Sequence, residues 1–190
     1  PDFTLTTYRT LLTTLLAQHY SFRPLEELPL SLPGKIIALR HDVDLRPHHA
    51  LQTALLENRL GIRGTYYFRI VQGSFNPGII EQIRDLSHEI GYHYEDLSLT
   101  GGNIDAAYTS FCNNLNTLRQ YYPVKTVSMH GSPASRFDSR DIWTSHNYRD
   151  QGIVCEPYFD TDFNKVFYLT DTGRRWDGWK MNVRDKIPAM

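Results

Sequence analysis

The chain has 190 residues, a formal net charge of −1 and 41% hydrophobic residues. This length fits one domain with a sizeable core, and a near-neutral charge without a basic block argues against binding to nucleic acid or to an anionic membrane surface. The sequence has no apolar run long enough to span a bilayer and no signal peptide, although it begins at Pro1 and a removed leader would explain this. The two cysteines do not make a disulfide framework, so a reduced, cytoplasmic setting is expected.

Strands and helices are predicted to alternate along most of the chain. Apolar residues at helical spacing predict a first helix from Leu5 to about His19, and a proline-rich linker follows over residues 24–33. The apolar run at residues 35–39 lacks helical spacing and predicts a buried parallel strand. Further strands are predicted at residues 65–68, 89–95, 126–129, 152–155 and 166–169.

Three helices are predicted between these strands. The first begins near Leu45 and ends at Gly61, and the second has Asn76 as its N-cap and Pro77 in its first turn. The third is marked by apolar residues spaced from Ile104 to Tyr122. This alternation favours a parallel sheet that is either doubly wound or closed into a barrel.

The most informative stretch is His41-Asp42-Val43-Asp44, which follows the first predicted strand. Side chains alternate across a strand, so Asp42 and Asp44 are expected to point to the same side. Two carboxylates so close repel each other unless a cation, a proton or a basic partner lies between them. The pair therefore predicts a metal site or an acid–base site.

Ionisable residues follow other predicted strands in the same way. His93 and Glu95 end the third strand, His130 ends the fourth, and Asp171 follows the last. The carboxyl ends of parallel strands share one face of the fold, and active sites of such proteins lie there. We therefore expect these groups to meet at one mouth of the sheet.

Several motifs lie at these positions: Arg-His-Asp-Val-Asp at residues 40–44, Gly-Thr-Tyr-Tyr-Phe at 64–68 and Ser-His-Glu-Ile-Gly-Tyr-His at 87–93. They resemble the opening motifs of the polysaccharide deacetylases, also called the NodB homology domain or carbohydrate esterase family four. Residues 129–133 fall where that family keeps a third motif, and residues 169–176 resemble its fourth. The resemblance covers roughly residues 35–176 and implies an α/β fold, a distorted (β/α) barrel related to the TIM barrel. Only six strands are predicted, so the barrel is expected to be incomplete. The length fits a single domain over residues 1–190, with an N-terminal helix and linker over about residues 1–34.

The resemblance also implies a function: a metal-dependent hydrolase that removes an acetyl group from an N-acetylated sugar or a related non-peptide amide. Carried over position by position, Asp42 is the general base, and Asp44 and His93 are ligands of a divalent metal, expected to be zinc. Glu95 shares a strand face with His93, and His130 comes from the next strand, so either residue would complete the metal site. His130 stands in place of an arginine of the family and is also a candidate for protonating the leaving amine.

Substrate-binding residues are expected around the same mouth. Backbone N–H groups near Ser132 would stabilise an oxyanion, and Tyr94 and Trp176 would offer flat faces to a sugar ring. Asp171 and Arg174 complete the expected set. The expected partner is a small-molecule or oligosaccharide substrate, and the sequence leaves the oligomeric state open.

The chain departs from the family in two places, which keeps other functions open. Leu97 stands where the second motif usually has another histidine, and no histidine follows His146 to act as the family's late general acid. One alternative is a degenerate, non-catalytic carbohydrate-binding domain of the same fold. Another is a metal-dependent phosphoesterase, which would use the same types of residue.

Each candidate residue also has a structural interpretation. Asp44 would cap the following helix, and Asp42 would form an ion pair with Arg40. His93 would be a hydrogen-bonded histidine of the core, and His130 would shape a turn.

Overall fold

A computed structural model of the protein describes residues 2–28, 34–131, 135–172 and 176, and it shows a mixed α/β fold. The strands are β1 (Ser21–Phe22), β2 (Ile36–Ile37), β3 (Arg40–Val43), β4 (Thr65–Phe68), β5 (Glu89–Tyr94) and β6 (Val127–Met129). The α-helices are α1 (Leu5–Ala17), α2 (Pro47–Arg59), α3 (Pro77–Asp85), α4 (Asp96–Leu99), α5 (Ile104–Leu118) and α6 (Pro157–Asp160). Short 3-10 helices cover Leu25–Glu27, Ser139–Thr144 and Tyr148–Gln151.

The main sheet has four parallel strands in the order β3-β4-β5-β6 and curls into half of a barrel. Helix α2 connects β3 to β4, α3 connects β4 to β5, and α4 and α5 connect β5 to β6. The register pairs Asp42 with Tyr67, Tyr67 with Gly91, and His93 with Ser128. The parallel α/β sheet expected from the alternation of strands and helices is confirmed, and the described residues form a half-barrel rather than a closed one.

The core lies between the outer face of the sheet and the helices that cover it. Ile80 and Ile83 of α3, and Phe111 and Leu115 of α5, are fully buried there. The outer face itself is apolar or aromatic, with Val43, Tyr66, Phe68, Ile90, Tyr92, Tyr94, Val127 and Met129 buried on it. The helical spacing that predicts α3 and α5 therefore reflects burial against one side of the sheet.

Helix α3 begins as the sequence predicts. The side-chain oxygen of Asn76 accepts a hydrogen bond from the backbone N–H of Ile79 at 3.1 Å, and Pro77 is the first helical residue. This cap satisfies a backbone donor that the helix itself leaves without a partner, and proline costs nothing at this position because its missing N–H would be free anyway.

The first predicted strand needs correction. Residues 35–39 do not form the edge of the main sheet, because β3 begins at Arg40. Ile36 and Ile37 instead pair with β1 in a separate two-stranded sheet. Asp42 therefore lies inside β3 rather than after it. In this strand, Arg40 and Asp42 point to the same face of the sheet.

The two last predicted strands were wrong. At residues 152–155 only an isolated bridge joins Cys155 to Thr126, and the left-handed backbone of Gly152, with φ of 71°, interrupts an extended run. Residues 166–169 form no strand, and Phe167 is 89% exposed. Val166 and Leu169 are also about half exposed, at 48% and 50%, so this run is not buried as a strand of the core would be.

Residues 24–28 are the described part of the predicted linker, and they pack against the amino end of the sheet. The backbone N–H of Leu25 donates to Thr65 Oγ1 at 2.8 Å, and that of Glu26 donates to Glu89 Oε2 at 3.0 Å. Leu25 is buried. Residues 25–27 thus close the amino end of the half-barrel, opposite the mouth formed by the carboxyl ends of its strands.

Both cysteines, Cys112 and Cys155, are free thiols. Of the helices in the described part of the chain, none combines the length and apolar character needed to cross a membrane.

Candidate metal centre

The inner face of the half-barrel carries polar side chains in layers that follow the strand register. Since every second residue of a strand points to the same side, Arg40 and Asp42 share this face with His93 and Ser128. At the mouth, the backbone leaving β3 adds Asp44 to the same face. The expectation that ionisable groups from separate strands meet is confirmed for three residues, Asp44, His93 and His130.

Three ligand atoms converge at the mouth. His130 Nδ1 lies 3.1 Å from Asp44 Oδ1 and 3.3 Å from His93 Nε2. His93 Nε2 lies 3.5 Å from Asp44 Oδ1. In a tetrahedral site with metal–ligand bonds of about 2.0–2.1 Å, ligand atoms lie about 3.3–3.4 Å apart. The separations therefore match those around one divalent ion held by two imidazoles and a carboxylate.

His93 is oriented by the backbone of the neighbouring strand. Its ring is buried, and its Nδ1 lies 2.8 Å from the carbonyl oxygen of Ser128. A carbonyl only accepts hydrogen bonds, so Nδ1 carries the proton and Nε2 presents its lone pair to the mouth. Burial lowers the pKa of the His93 imidazole, which favours the neutral form that binds metals.

Asp44 carries a buried oxygen that lacks a hydrogen-bond partner. Among the described residues, Oδ1 of Asp44 accepts no hydrogen bond although it faces the nitrogens of His93 and His130. A buried polar atom in this state costs free energy, and a cation at the mouth would satisfy it. Asp44 does not cap α2, because the N-cap position is Arg46 and carries no side-chain hydrogen bond.

Asp42 lies beside these three residues and is held by Arg40. Arg40 Nε and Nη2 donate to the two oxygens of Asp42, each at 2.8 Å. Burial favours the protonated carboxyl, but the charge of Arg40 and its hydrogen bonds outweigh this effect and lower the pKa of Asp42 to about 2. The ion pair considered from the sequence is therefore present. It keeps Asp42 ionised at neutral pH, with Oδ2 3.6 Å from His93 Nε2.

Glu95 is placed outside the converging set. Arg69 Nε donates to Glu95 Oε1 at 2.7 Å, and Arg69 Nη2 donates to Oε2 at 2.8 Å. Glu95 Oε2 also lies 4.0 Å from His130 Nε2, the ring nitrogen on the side away from Asp44. Of the two residues that would complete the site, His130 is the one that the structure brings to Asp44 and His93.

Arg69 is the residue at this mouth that the motifs did not single out. It follows β4 directly and, by strand alternation, shares the inner face with Thr65 and Tyr67. That position after a predicted strand was the available signal, since it is the same signal that identified Asp44 and His130.

Two of the predicted substrate-binding residues lie away from the mouth. Tyr94 is fully buried on the outer face of the sheet, where Trp143 Nε1 donates to its hydroxyl at 2.7 Å. Trp176 is 47% exposed, and its ring centroid lies 5.2 Å from that of Phe3, at the N-terminal end of the chain. The structure does not bring either aromatic ring to Asp44 or His93.

The other predicted substrate-binding residues add little to the described site. Asp171 is exposed, and Ser132 and Arg174 lie outside the described residues. An open pocket does adjoin His130, and it is lined by Met129, Gly131, Ser135, Arg136, Phe137 and Asp138.

No protein-family model matches the chain, and a search of curated proteins finds no significant match. The likeness to the polysaccharide deacetylases is therefore a resemblance of motifs. The chemistry of Asp44, His93 and His130 is the firmer basis for a function.

Proposed function

We propose that the protein is a metal-dependent hydrolase of the polysaccharide deacetylase type, which removes an acetyl group from an N-acetylated sugar or a related non-peptide amide. The observation that carries this proposal is the convergence of Asp44, His93 and His130, with ligand atoms 3.1–3.5 Å apart, beside the ionised Asp42. The motif resemblance supports the class of substrate.

The residues at the mouth fit a divalent ion such as zinc. Two imidazole nitrogens and one carboxylate oxygen are the ligands of many catalytic zinc sites, which keep a further position open. An ion bound there would supply Lewis acidity, lowering the pKa of a water molecule to roughly 7 and polarising an amide carbonyl.

Asp42 is the proposed general base. Its Oδ2 lies 3.6 Å from the same His93 nitrogen that faces the metal position, so a water molecule beside a bound ion would be within its reach. Arg40 fixes both oxygens and keeps them charged. With a pKa of about 2, Asp42 is a weak base, so it removes a proton only from a water molecule that is itself acidified.

The leaving amine needs a proton donor, and Asp42 can be that donor after it has accepted a proton from water. His130 was a candidate for protonating the leaving amine, but its Nδ1 points at Asp44 and His93, so we assign it to the metal ligands. Asp42, once protonated, can return its proton to the leaving nitrogen. One carboxyl group then serves as base in the first half of the reaction and as acid in the second.

Acetate release tests this proposal. The protein, supplied with Zn²⁺, is incubated with oligosaccharides of N-acetylglucosamine, and acetate is measured with and without a chelator. We expect release that stops with the chelator and returns when Zn²⁺ is restored. Asp42→Asn should bind Zn²⁺ but release acetate at least ~100-fold more slowly, because it removes the base and leaves the ligands.

Two outcomes would contradict the proposal. Binding of both Zn²⁺ and the oligosaccharide without acetate release would favour the carbohydrate-binding alternative. Hydrolysis of phosphate esters without acetate release would favour a phosphoesterase.

A further inference from the structure

We infer that Glu95 is a positioning residue of the metal site: it orients His130 through the Nε2 of that ring, while Arg69 holds the carboxylate in place. The inference rests on the metal site of the proposed function. From the sequence, Glu95 is a candidate metal ligand. The inference instead gives it the role of holding a ligand in place.

The pairing with Arg69 argues against direct ligation by Glu95. Both carboxylate oxygens are engaged by the planar guanidinium, at 2.7 and 2.8 Å, which is the strong bidentate form of such a pair. The side chain of Arg69 is only 19% exposed, and that of Glu95 only 10%. Moving Glu95 onto a metal would leave Arg69 partly buried without its counter-charge, and this is costly.

The orientation of His130 shows what Glu95 does instead. Nδ1 of His130 faces the other two ligand atoms, and Nε2 lies 4.0 Å from Glu95 Oε2. When one imidazole nitrogen binds a metal, the other carries the proton. A gap of 4.0 Å is longer than a hydrogen bond, and Nε2 would have to move about 1 Å toward Oε2 to form one. The resulting N–H···O contact is the one that metal-bound histidines commonly make to a carboxylate.

Arg69 also ties this carboxylate to the strand that carries Asp44. Its Nη1 lies 3.4 Å from the carbonyl oxygen of Asp44, and its backbone N–H donates to Ser74 Oγ at 3.0 Å. The Ser74 hydroxyl in turn donates to the carbonyl oxygen of Val43. The loop after β4 is thereby fastened to the end of β3, so one arginine sets the positions of Glu95 and of the Asp44 backbone.

Zinc affinity in a double-mutant cycle tests the inference. Affinity for Zn²⁺ is measured by competition with a chromophoric chelator in four proteins: native, Glu95→Gln, His130→Ala and the double variant. We expect Glu95→Gln to weaken binding 10–100-fold, as loss of an outer partner of a ligand does. In the His130→Ala background the same change should alter affinity by less than about twofold, because its only route to the metal is gone.

Controls separate this role from a loss of folding. Circular dichroism in chelator checks that each variant is folded, and Glu81→Gln makes the same chemical change on the exposed side of α3, where no effect is expected. Arg69→Lys keeps the positive charge but not the fork, so it should weaken zinc binding less than Arg69→Met does.

A second measurement needs no variant. Nitrogen-15 NMR of the imidazoles in the zinc-loaded native protein should show His130 protonated on Nε2, with Nδ1 bound to the metal. Binding through Nε2 would overturn the inference. So would an equal loss of affinity from Glu95→Gln in both backgrounds, which indicates a direct ligand, or unchanged affinity in the native background. None of these readouts uses acetate release, so a protein that binds zinc in this pattern and hydrolyses nothing would refute only the proposed function.

Discussion

Single hydrogen bonds decide which atoms face the metal position. The N–H at Nδ1 of His93 donates a hydrogen bond to the carbonyl oxygen of Ser128, so Nε2 presents its lone pair to the mouth. Arg40 occupies both oxygens of Asp42, so Asp42 stays charged beside the ligands without joining them. In the proposed mechanism, the division between ligand and base therefore follows from the partners of each side chain rather than from its residue type.

Gly91 makes room for a ring that supports the site from below. A Cβ at this residue would collide with the ring of Tyr67 and would lie 3.1 Å from the carbonyl oxygen of Thr126. Tyr67 is fully buried and donates its hydroxyl proton to Thr126 Oγ1 at 3.0 Å, so the ring is held in place. We expect Gly91→Ala to reduce the free energy of unfolding by ~1–3 kcal/mol in urea titrations, as overpacking does.

A matched control uses another glycine. At Gly78, in the first turn of α3, the nearest atom to an added Cβ is Asn76 Oδ1 at 3.7 Å. Gly78→Ala should leave stability unchanged or raise it slightly, since alanine favours the helix. Equal stability of the native protein and Gly91→Ala would show that Tyr67 does not fill the inner face as described.

At the scale of elements, β5 begins with a buried carboxyl group beneath the site. Glu89 accepts hydrogen bonds from Thr65 Oγ1 at 2.6 Å, from Thr126 Oγ1, and from the backbone N–H of Glu26 at 3.0 Å. Burial outweighs these bonds and raises the pKa of Glu89 to about 7. These contacts join β4, β5, the residue before β6 and the segment before β2, so the protonation of Glu89 affects the packing of four parts of the chain.

The stability of the fold should therefore depend on pH through Glu89. An unfolded chain releases this proton near pH 4.3, about the ordinary pKa of glutamate. Between about pH 4 and pH 7 the folded state binds more protons than the unfolded state, so the free energy of unfolding falls as pH rises. In chelator, we expect the native protein to lose ~2–3 kcal/mol more stability than Glu89→Gln between about pH 5 and pH 8. Parallel pH profiles of the two proteins would rule out a neutral carboxyl in the fold.

Elements with a repeating apolar pattern are the ones that the sequence predicts well. Strands β4, β5 and β6 are buried at every residue, and helices α3 and α5 are buried along one face, so apolar and aromatic residues mark all five. Strand β3 is displaced from its prediction, since Arg40 and Asp42 alternate toward a polar inner face and look like the start of a loop. A strand with a polar face therefore lacks the apolar pattern by which strands are predicted.

The same limit applies to the site. Asp44, His93 and His130 could be predicted because each follows or ends a strand, and parallel strands share a mouth. The pairing of Arg69 with Glu95 could not be predicted, because the two residues are 26 positions apart. The sequence contains many other charged residues with which each of them could pair. Contacts of that kind depend on side-chain geometry, which the pattern of residue types does not contain.

At the scale of the whole molecule, the half-barrel has a closed end and an open end. Residues 25–27 pack across the amino end of the strands, the helices cover the outer face, and the polar cluster lies at the opposite mouth. The buried layers hold three side chains from different strand ends at distances that suit one ion. A scaffold that preorganises three such side chains would bind a metal ion without rearranging its core.

The most direct test of this account is the zinc content of the protein after equilibrium dialysis, measured by elemental analysis. We expect one ion per chain in the native protein and none in Asp44→Ala, because the carboxylate that faces both imidazoles is gone. Asp85→Ala, which removes a 66% exposed aspartate from α3, should keep the ion. Equal zinc in the native protein and Asp44→Ala, or no zinc in either, would contradict a metal site at this mouth.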